Sequence, residues 1–245
     1  SSVLVAGSLQ GKGLDGAARP RFDTKYSDAY VLKLHDQGRR SVIGWAQTFG
    51  GAGWDAANAL AVQGRRVYVA GSICSATARF GTQVLMNTDS AVLHYPHEPN
   101  FSPNAFVAAL DDAGSGPRVV WVQNLGGSVY DRLVSLTMHH QQLYVAGDFM
   151  SPILPLVGRQ LPNLNRRAGQ GIFLACLTDR GPRGECSWAI QAGGPHAASA
   201  LALTSHDHHL YLAGTAADST QLGPMQVRAR NSQWRAFVAG LEVPE

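Results

Sequence analysis

The chain has 245 residues and a formal net charge of +3, with 27 glycines and only 15% charged residues. That length fills one all-β domain or two smaller ones, and the glycine-rich, charge-poor balance suits short strands and tight turns rather than helices. Composition argues against a nucleic-acid groove, because Arg166-Arg167 and Arg228, Arg230 and Arg235, among the densest basic spots, read as solvated loops. No apolar run approaches the roughly 18 residues that a membrane-spanning helix needs.

Strand-like stretches recur from the start of the chain. Val3-Leu4-Val5-Ala6-Gly7 is followed by Ala29-Tyr30-Val31-Leu32, Trp45 and the pair Gly50-Gly51. The same order returns as Ala57 to Val62, Val67-Tyr68-Val69-Ala70-Gly71, Ala105-Phe106-Val107-Ala108, Trp121 and Gly126-Gly127. It returns again as Leu133 to Met138, Leu143-Tyr144-Val145-Ala146-Gly147, Ile172-Phe173-Leu174-Ala175, Trp188 and Gly193-Gly194. A last copy reads Ala200 to Ser205, Leu210-Tyr211-Leu212-Ala213-Gly214 and Ala236-Phe237-Val238-Ala239.

The intervals are fixed. Leu34 to Trp45, Leu110 to Trp121 and Leu177 to Trp188 each span eleven positions, and each Trp precedes a Gly pair by five. Gly50 to Gly71, Gly126 to Gly147 and Gly193 to Gly214 each span twenty-one. Internal repetition at this scale points to a propeller or solenoid. Apolar residues alternate at period two within each stretch, which argues for strands. Short turns such as Gln63-Gly64-Arg65-Arg66 and Asp111-Asp112-Ala113-Gly114 join them as hairpins. Length varies in one place only, between the second and third strands, so the variable segments gather on one face as loops.

Four antiparallel strands per unit, repeated, predict an all-β fold: a β-propeller of four-stranded blades, with about three and a half to four blades in this chain. Blade 1 covers about 1–51, blade 2 about 52–127, blade 3 about 128–194 and blade 4 about 195–245. The pattern Trp/Tyr, Gly-Gly, Asp, Leu, (Val/Leu)-Tyr-Val-Ala-Gly, (Asp/Asn)-Ala-(Phe/Tyr)-Val-x-x-Leu resembles the bacterial SBBP repeat, a β-propeller family. The resemblance implies a secreted or cell-surface protein and no single reaction, so no catalytic residue carries over. One departure is Ala198, which stands where the other copies have Asp55 and Asp131.

The phase of the repeat is unusual. The strands count three, four, four and three. Ser1 leads straight into a strand, with no signal peptide in the chain as given. Open end strands predict either part of a longer propeller or assembly with other copies, since an unpaired edge templates strand addition.

Candidate chemistry is sparse. Asp55 and Asp131 fall on the variable-loop face, where they either cap turns or contact a ligand. His94, Tyr95, His97 and Glu98 lie in the longest loop and join them as weak ligand-binding candidates. His206, His208 and His209 look metal-like at first sight, but they share a tight turn whose sibling reads Gly64-Arg65-Arg66, which fits a polar surface better. Cys176 and Cys186 flank a hairpin and are candidates for a disulfide, with Leu174 expected to pair with Trp188; Cys74 is left over. Trp45, Trp121 and Trp188 recur at one position and read as packing between blades. Asn100-Phe101-Ser102 is a glycosylation sequon in form only. No nucleophile elbow, zinc-protease helix or phosphate-cradling loop occurs. The expectation is therefore an extracellular or surface structural and adhesive module, without metal or cofactor, engaging other copies, a glycan or a protein. The alternative is a propeller enzyme acting on extracellular polysaccharide.

Overall fold

The computed structural model describes residues 1–10, 26–89, 92–95, 98–114, 116–164, 169–193, 197–217, 220–222, 225–227 and 234–243. Among them the chain is all-β without helix, and every strand pairing is antiparallel.

The first sheet is a three-stranded meander of β1 (Ser2–Gln10), β2 (Ser27–Asp36) and β3 (Ser41–Phe49). The next stretch forms β4 (Asp55–Gln63), β5 (Arg66–Ile73), β6 (Thr77–Phe80), β7 (Gln83–Met86), β8 (Val92–Tyr95), β9 (Glu98–Phe101), β10 (Asn104–Asp112) and β11 (Pro117–Asn124). Of these, β4-β5-β10-β11 make the second sheet, while β6-β7 and β8-β9 are separate hairpins. Then come β12 (Asp131–His139), β13 (Gln142–Phe149), β14 (Ile153–Leu156), β15 (Arg159–Pro162), β16 (Gly171–Asp179) and β17 (Gly184–Gly193). The chain continues with β18 (Ala198–His206), β19 (His209–Ala217), β20 (Thr220–Leu222), β21 (Met225–Val227) and β22 (Trp234–Glu242). The third sheet runs β12-β13-β16-β17 and is extended at its edge by β20-β21; the fourth is β18-β19-β22.

Period-two alternation now has a physical meaning. In β5, Val67 and Val69 pack toward the first sheet with Phe106 and Leu110, while Tyr68 and Ala70 pack toward the third with Val107 and Ala109. Likewise Leu143, Val145 and Phe173 face the second sheet, and Tyr144, Ala146 and Leu174 face the fourth. The central sheets are therefore buried on both sides, which is why their strands read as near-continuous apolar runs.

The sheets carry bulges that the alternation hides, two in each central sheet and one in each outer sheet. One lies in the first strand, between Ala57 and Ala59, Leu133 and Ser135, and Ala200 and Ala202. It pushes a carbonyl against the glycine that closes the next strand: a Cβ at Gly71, Gly147 or Gly214 would collide with the carbonyl of Ala56, Arg132 or Ser199. Close backbone approach, not turn geometry, fixes these glycines. The second bulge falls between Lys33 and Leu34, Ala109 and Leu110, and Cys176 and Leu177.

Described parts of the variable segments form hairpins. Hairpin β6-β7 seals the second sheet's edge: Phe80 is buried, stacked on Phe49 and edge-on to Phe106, and Gln83 bonds to both Val120 and Val122. Hairpin β14-β15 does the same in the third sheet, burying Leu154 and Leu156 and accepting the Cys186 amide on Val157. These hairpins blunt strand edges that would otherwise recruit other chains.

Candidate functional site

The start of β4 shows how Asp55 is used. Its carboxylate accepts the amides of Gly51 (2.9 Å), Cys74 (2.9 Å) and Ser75 (3.1 Å) and the Ser75 hydroxyl (2.6 Å). Asp131 repeats the arrangement with the amides of Gly127 (2.6 Å), Met150 (3.1 Å) and Ser151 (3.2 Å) and the Ser151 hydroxyl (2.6 Å). Each carboxylate buckles the Gly-Gly connection to the exit of the second strand. That places the variable segments and the Gly-Gly turns on one face. Both residues are fully buried, so a ligand in solvent has no access to either.

Burial pushes the Asp55 carboxyl up to about 6, against the opposing pull of its hydrogen bonds from Ser75, Gly51 and Cys74. Asp131 is raised for the same reason. Asp28 is also buried, and it flanks Gly50 together with Asp55. This pairing of acids resembles a hydrolase dyad only in proximity, because Asp55 is committed to four donors.

Other predicted residues fall as follows. His94 and Tyr95 lie on β8 and Glu98 on β9, with Tyr95 opposite Glu98 in the ladder. His97 lies outside the described residues. In the β18-β19 turn, His206 pairs with Asp207 at 3.4 Å and the His209 ring stacks on Tyr211. Only His208 faces a histidine cluster, formed with His139 and His140 of the β12-β13 turn.

The expected disulfide is not formed. The bulge after Cys176 shifts the register, so Cys176 sits opposite Trp188, Leu174 opposite Ile190, and Cys186 opposite Leu177. Cys176 then packs toward the fourth sheet and Cys186 toward the second, on opposite faces of one sheet. All three cysteines are free thiols. Burial, with Asp55 and Asp89 nearby, pushes the Cys74 thiol up to about 12, and burial pushes Cys176 up to about 11. None has the lowered pKa of a reactive cysteine.

Sequence reasoning missed the job of the third-strand aspartates. Trp45 Nε1 donates to Asp112 (3.1 Å), which also pairs with Lys33 (2.6 Å). Trp121 Nε1 donates to Asp179 (3.0 Å), which accepts the Tyr68 hydroxyl (3.0 Å) and pairs with Arg66 (3.3 Å). Thus Trp45 and Trp121 pack between sheets as expected, and each also hydrogen-bonds the sheet that follows. The signal was present in the constant spacing from Leu to Asp, but Asp in a Gly-containing turn reads first as a turn former.

A depression of about 360 Å³ beside the β14-β15 turn is lined by Val157, Arg159, Arg183, Glu185 and Cys186. Arg183 and Arg180 both bond Glu185, so its charges are largely spent on each other. No protein-family model matches the chain, and no match to it is found among curated proteins.

Proposed function

We propose that the four sheets are consecutive blades of a β-propeller of the SBBP kind. In this reading the chain is a structural and adhesive module displayed outside the cell, and its fourth blade is covered by a blade from a second copy. One observation carries the reading. Val238 is 74% exposed, whereas its counterparts in the first three sheets, Val31, Val107 and Leu174, are 0%, 0% and 4% exposed. Tyr211 is likewise open where Tyr68 and Tyr144 are buried, and Trp234 adds a large apolar side chain at the same strand parity as Val238. A face whose equivalents each pack against another sheet of the same repeat is shaped for one more such sheet. The surface location rests on the repeat resemblance, since the free thiols supply no argument for an oxidising compartment. The face bearing the variable hairpins is the side offered to a glycan or protein ligand.

Light scattering or sedimentation tests the assembly. At ~50 µM the chain should run as a dimer or larger, and Val238→Asp should run as a monomer, because seating a carboxylate in an apolar interface costs several kcal/mol. A monomeric wild type at that concentration, or a Val238→Asp variant that assembles normally, would refute the reading.

A further inference from the structure

On the face away from the variable hairpins, the first-to-second strand turns of neighbouring sheets meet. Between the second and third sheets the contact is a hydrogen bond: Gln63 Nε2 donates to the carbonyl of His140 at 2.6 Å. Position 63 of that turn corresponds to His139 in the next sheet and to His206 in the last. Between the third and fourth sheets no amide is available at this position, and histidines occupy the junction instead. His139, His140 and His208 each offer one ring nitrogen, and these nitrogens lie within 4.8 Å of one another. The rings of His139 and His140 meet edge-on with centroids 4.1 Å apart.

Two further features single out this cluster. His139 Nε2 is buried and has no hydrogen-bond partner, a costly state for an imidazole nitrogen. The backbone also holds the ligands in place. His140 adopts a positive φ of 52°, Asp207 one of 49° beside His208, and the His208 carbonyl accepts the amide of Val243 at 2.8 Å. The two turns are therefore fixed by their backbones, and the rings of His140 and His208 are exposed.

We propose that His139, His140 and His208 form a binding site for a divalent transition ion of the zinc class, clamping the third and fourth sheets together and leaving one coordination position for water. Three neutral imidazoles are a donor set that zinc, nickel and copper accept and that calcium and magnesium do not. Tetrahedral zinc with nitrogens at about 2.0–2.1 Å requires them roughly 3.4 Å apart. Small ring rotations of the two exposed histidines close that gap. His206 and His209 remain outside the site, one paired with Asp207 and the other stacked on Tyr211.

The test uses the chain stripped with EDTA and titrated with Zn²⁺, with Co²⁺ as a spectroscopic probe. One equivalent should bind, and Co²⁺ should give the intense visible bands of a low-coordinate nitrogen site. His208→Gln, an exposed position whose change leaves the fold intact, and His139→Gln, which restores the residue of the Gln63 turn, should each weaken Zn²⁺ at least about tenfold. His209→Gln should stay within about twofold of the wild type. The proposal is overturned if the wild type binds no Zn²⁺, if His208→Gln and His139→Gln bind as tightly as the wild type, or if His209→Gln weakens binding as much as they do.

Discussion

Replacing Asp55 with Ala tests whether the buried carboxylates belong to the architecture. The substitution removes the acceptor from four donors, but they do not suffer equally. The Cys74 amide also donates to the carbonyl of Trp54 at 3.0 Å, so it keeps a partner. Three donors are orphaned: the Gly51 amide, the Ser75 amide and the Ser75 hydroxyl. At about 1–2 kcal/mol for each unsatisfied group, the lower part of the usual range because Gly51 is only partly buried, the loss would reach roughly 3–6 kcal/mol. Against this stands relief from burying a charge. With the folded carboxyl at about 6 and an unfolded value near 3.9, ionisation at pH 7 carries a penalty of roughly 3 kcal/mol. The net expectation at pH 7 is a loss of about 0–3 kcal/mol.

The pH dependence is the sharper test. A carboxyl raised on folding binds more protons in the native than in the unfolded state between about pH 4 and 6. Its contribution is therefore fully present below the unfolded pKa and is lost as pH rises through the folded value. Asp55→Ala lacks this contribution, so its deficit relative to the wild type should be about 2 kcal/mol larger at pH 4.5 than at pH 7. Urea unfolding followed by circular dichroism at both pH values measures the difference, provided the m-values agree. A deficit that shrinks on acidification would mean that hydrogen bonding favours the anion over burial, and would refute the reasoning. Removing the orphaned hydroxyl as well, in Asp55→Ala with Ser75→Ala, should recover part of the loss.

Other contacts give further outcomes. Asp179→Ala strips acceptors from Trp121 and Tyr68 and a partner from Arg66, and should cost about 2–4 kcal/mol in urea unfolding. Asp36→Ala, the same repeat position on an exposed turn, should cost under about 1 kcal/mol. Non-reducing mass spectrometry after alkylation in denaturant should find all three cysteines modified, whereas in the folded protein at pH 8 the buried Cys176 should react far more slowly than a free thiol. A Cys176–Cys186 crosslink in that spectrum would overturn the register.

The meander was legible because its signals are local and repeated. Leu34 to Trp45 recurs unchanged, and so do the glycines after each Val-Ala stretch. The bulges were not legible, since a bulge leaves composition and length untouched while moving every later partner. That is why the pairing of Leu174 with Trp188, which would set Cys176 opposite Cys186, gives way to Cys176 opposite Trp188. The bulge at Ala57 did leave a trace in Gly71, but a glycine ending a strand reads as a turn until the carbonyl pressing on it is known. Hairpins within the variable segments carried a weak signal, Phe80-Gly81 and Val157-Gly158, with glycines at φ 61° and 83°. The histidine junction carried only half of one: the histidines at 206, 208 and 209 stand out together, but His139 and His208 are remote in sequence, and only the packing of one sheet on the next brings them together.

Ala198 gives the strongest argument about what the carboxylates are for. If the acid that opens β4 and β12 were chemical machinery, the copy lacking it would simply be a dead site. Instead the fourth sheet's first strand is secured by a different acid. Asp148, fully buried on β13, accepts the amide of Ala200 at 2.7 Å and the hydroxyl of Ser199 at 2.9 Å, and it is gripped by Arg132 through two bonds. Its carboxyl too is raised by burial, in spite of the Ala200 amide and the Arg132 charge. In the second and third sheets the anchor sits on the first strand and reaches forward to the second. At the fourth it sits on the preceding sheet and reaches across the junction. The same mechanical need, holding the entry of a first strand against its neighbours, is met by a residue at a different repeat position. Such relocation is expected of a structural tie, which only has to fill donors wherever they point, and not of a catalytic group, which must stay aligned with a substrate.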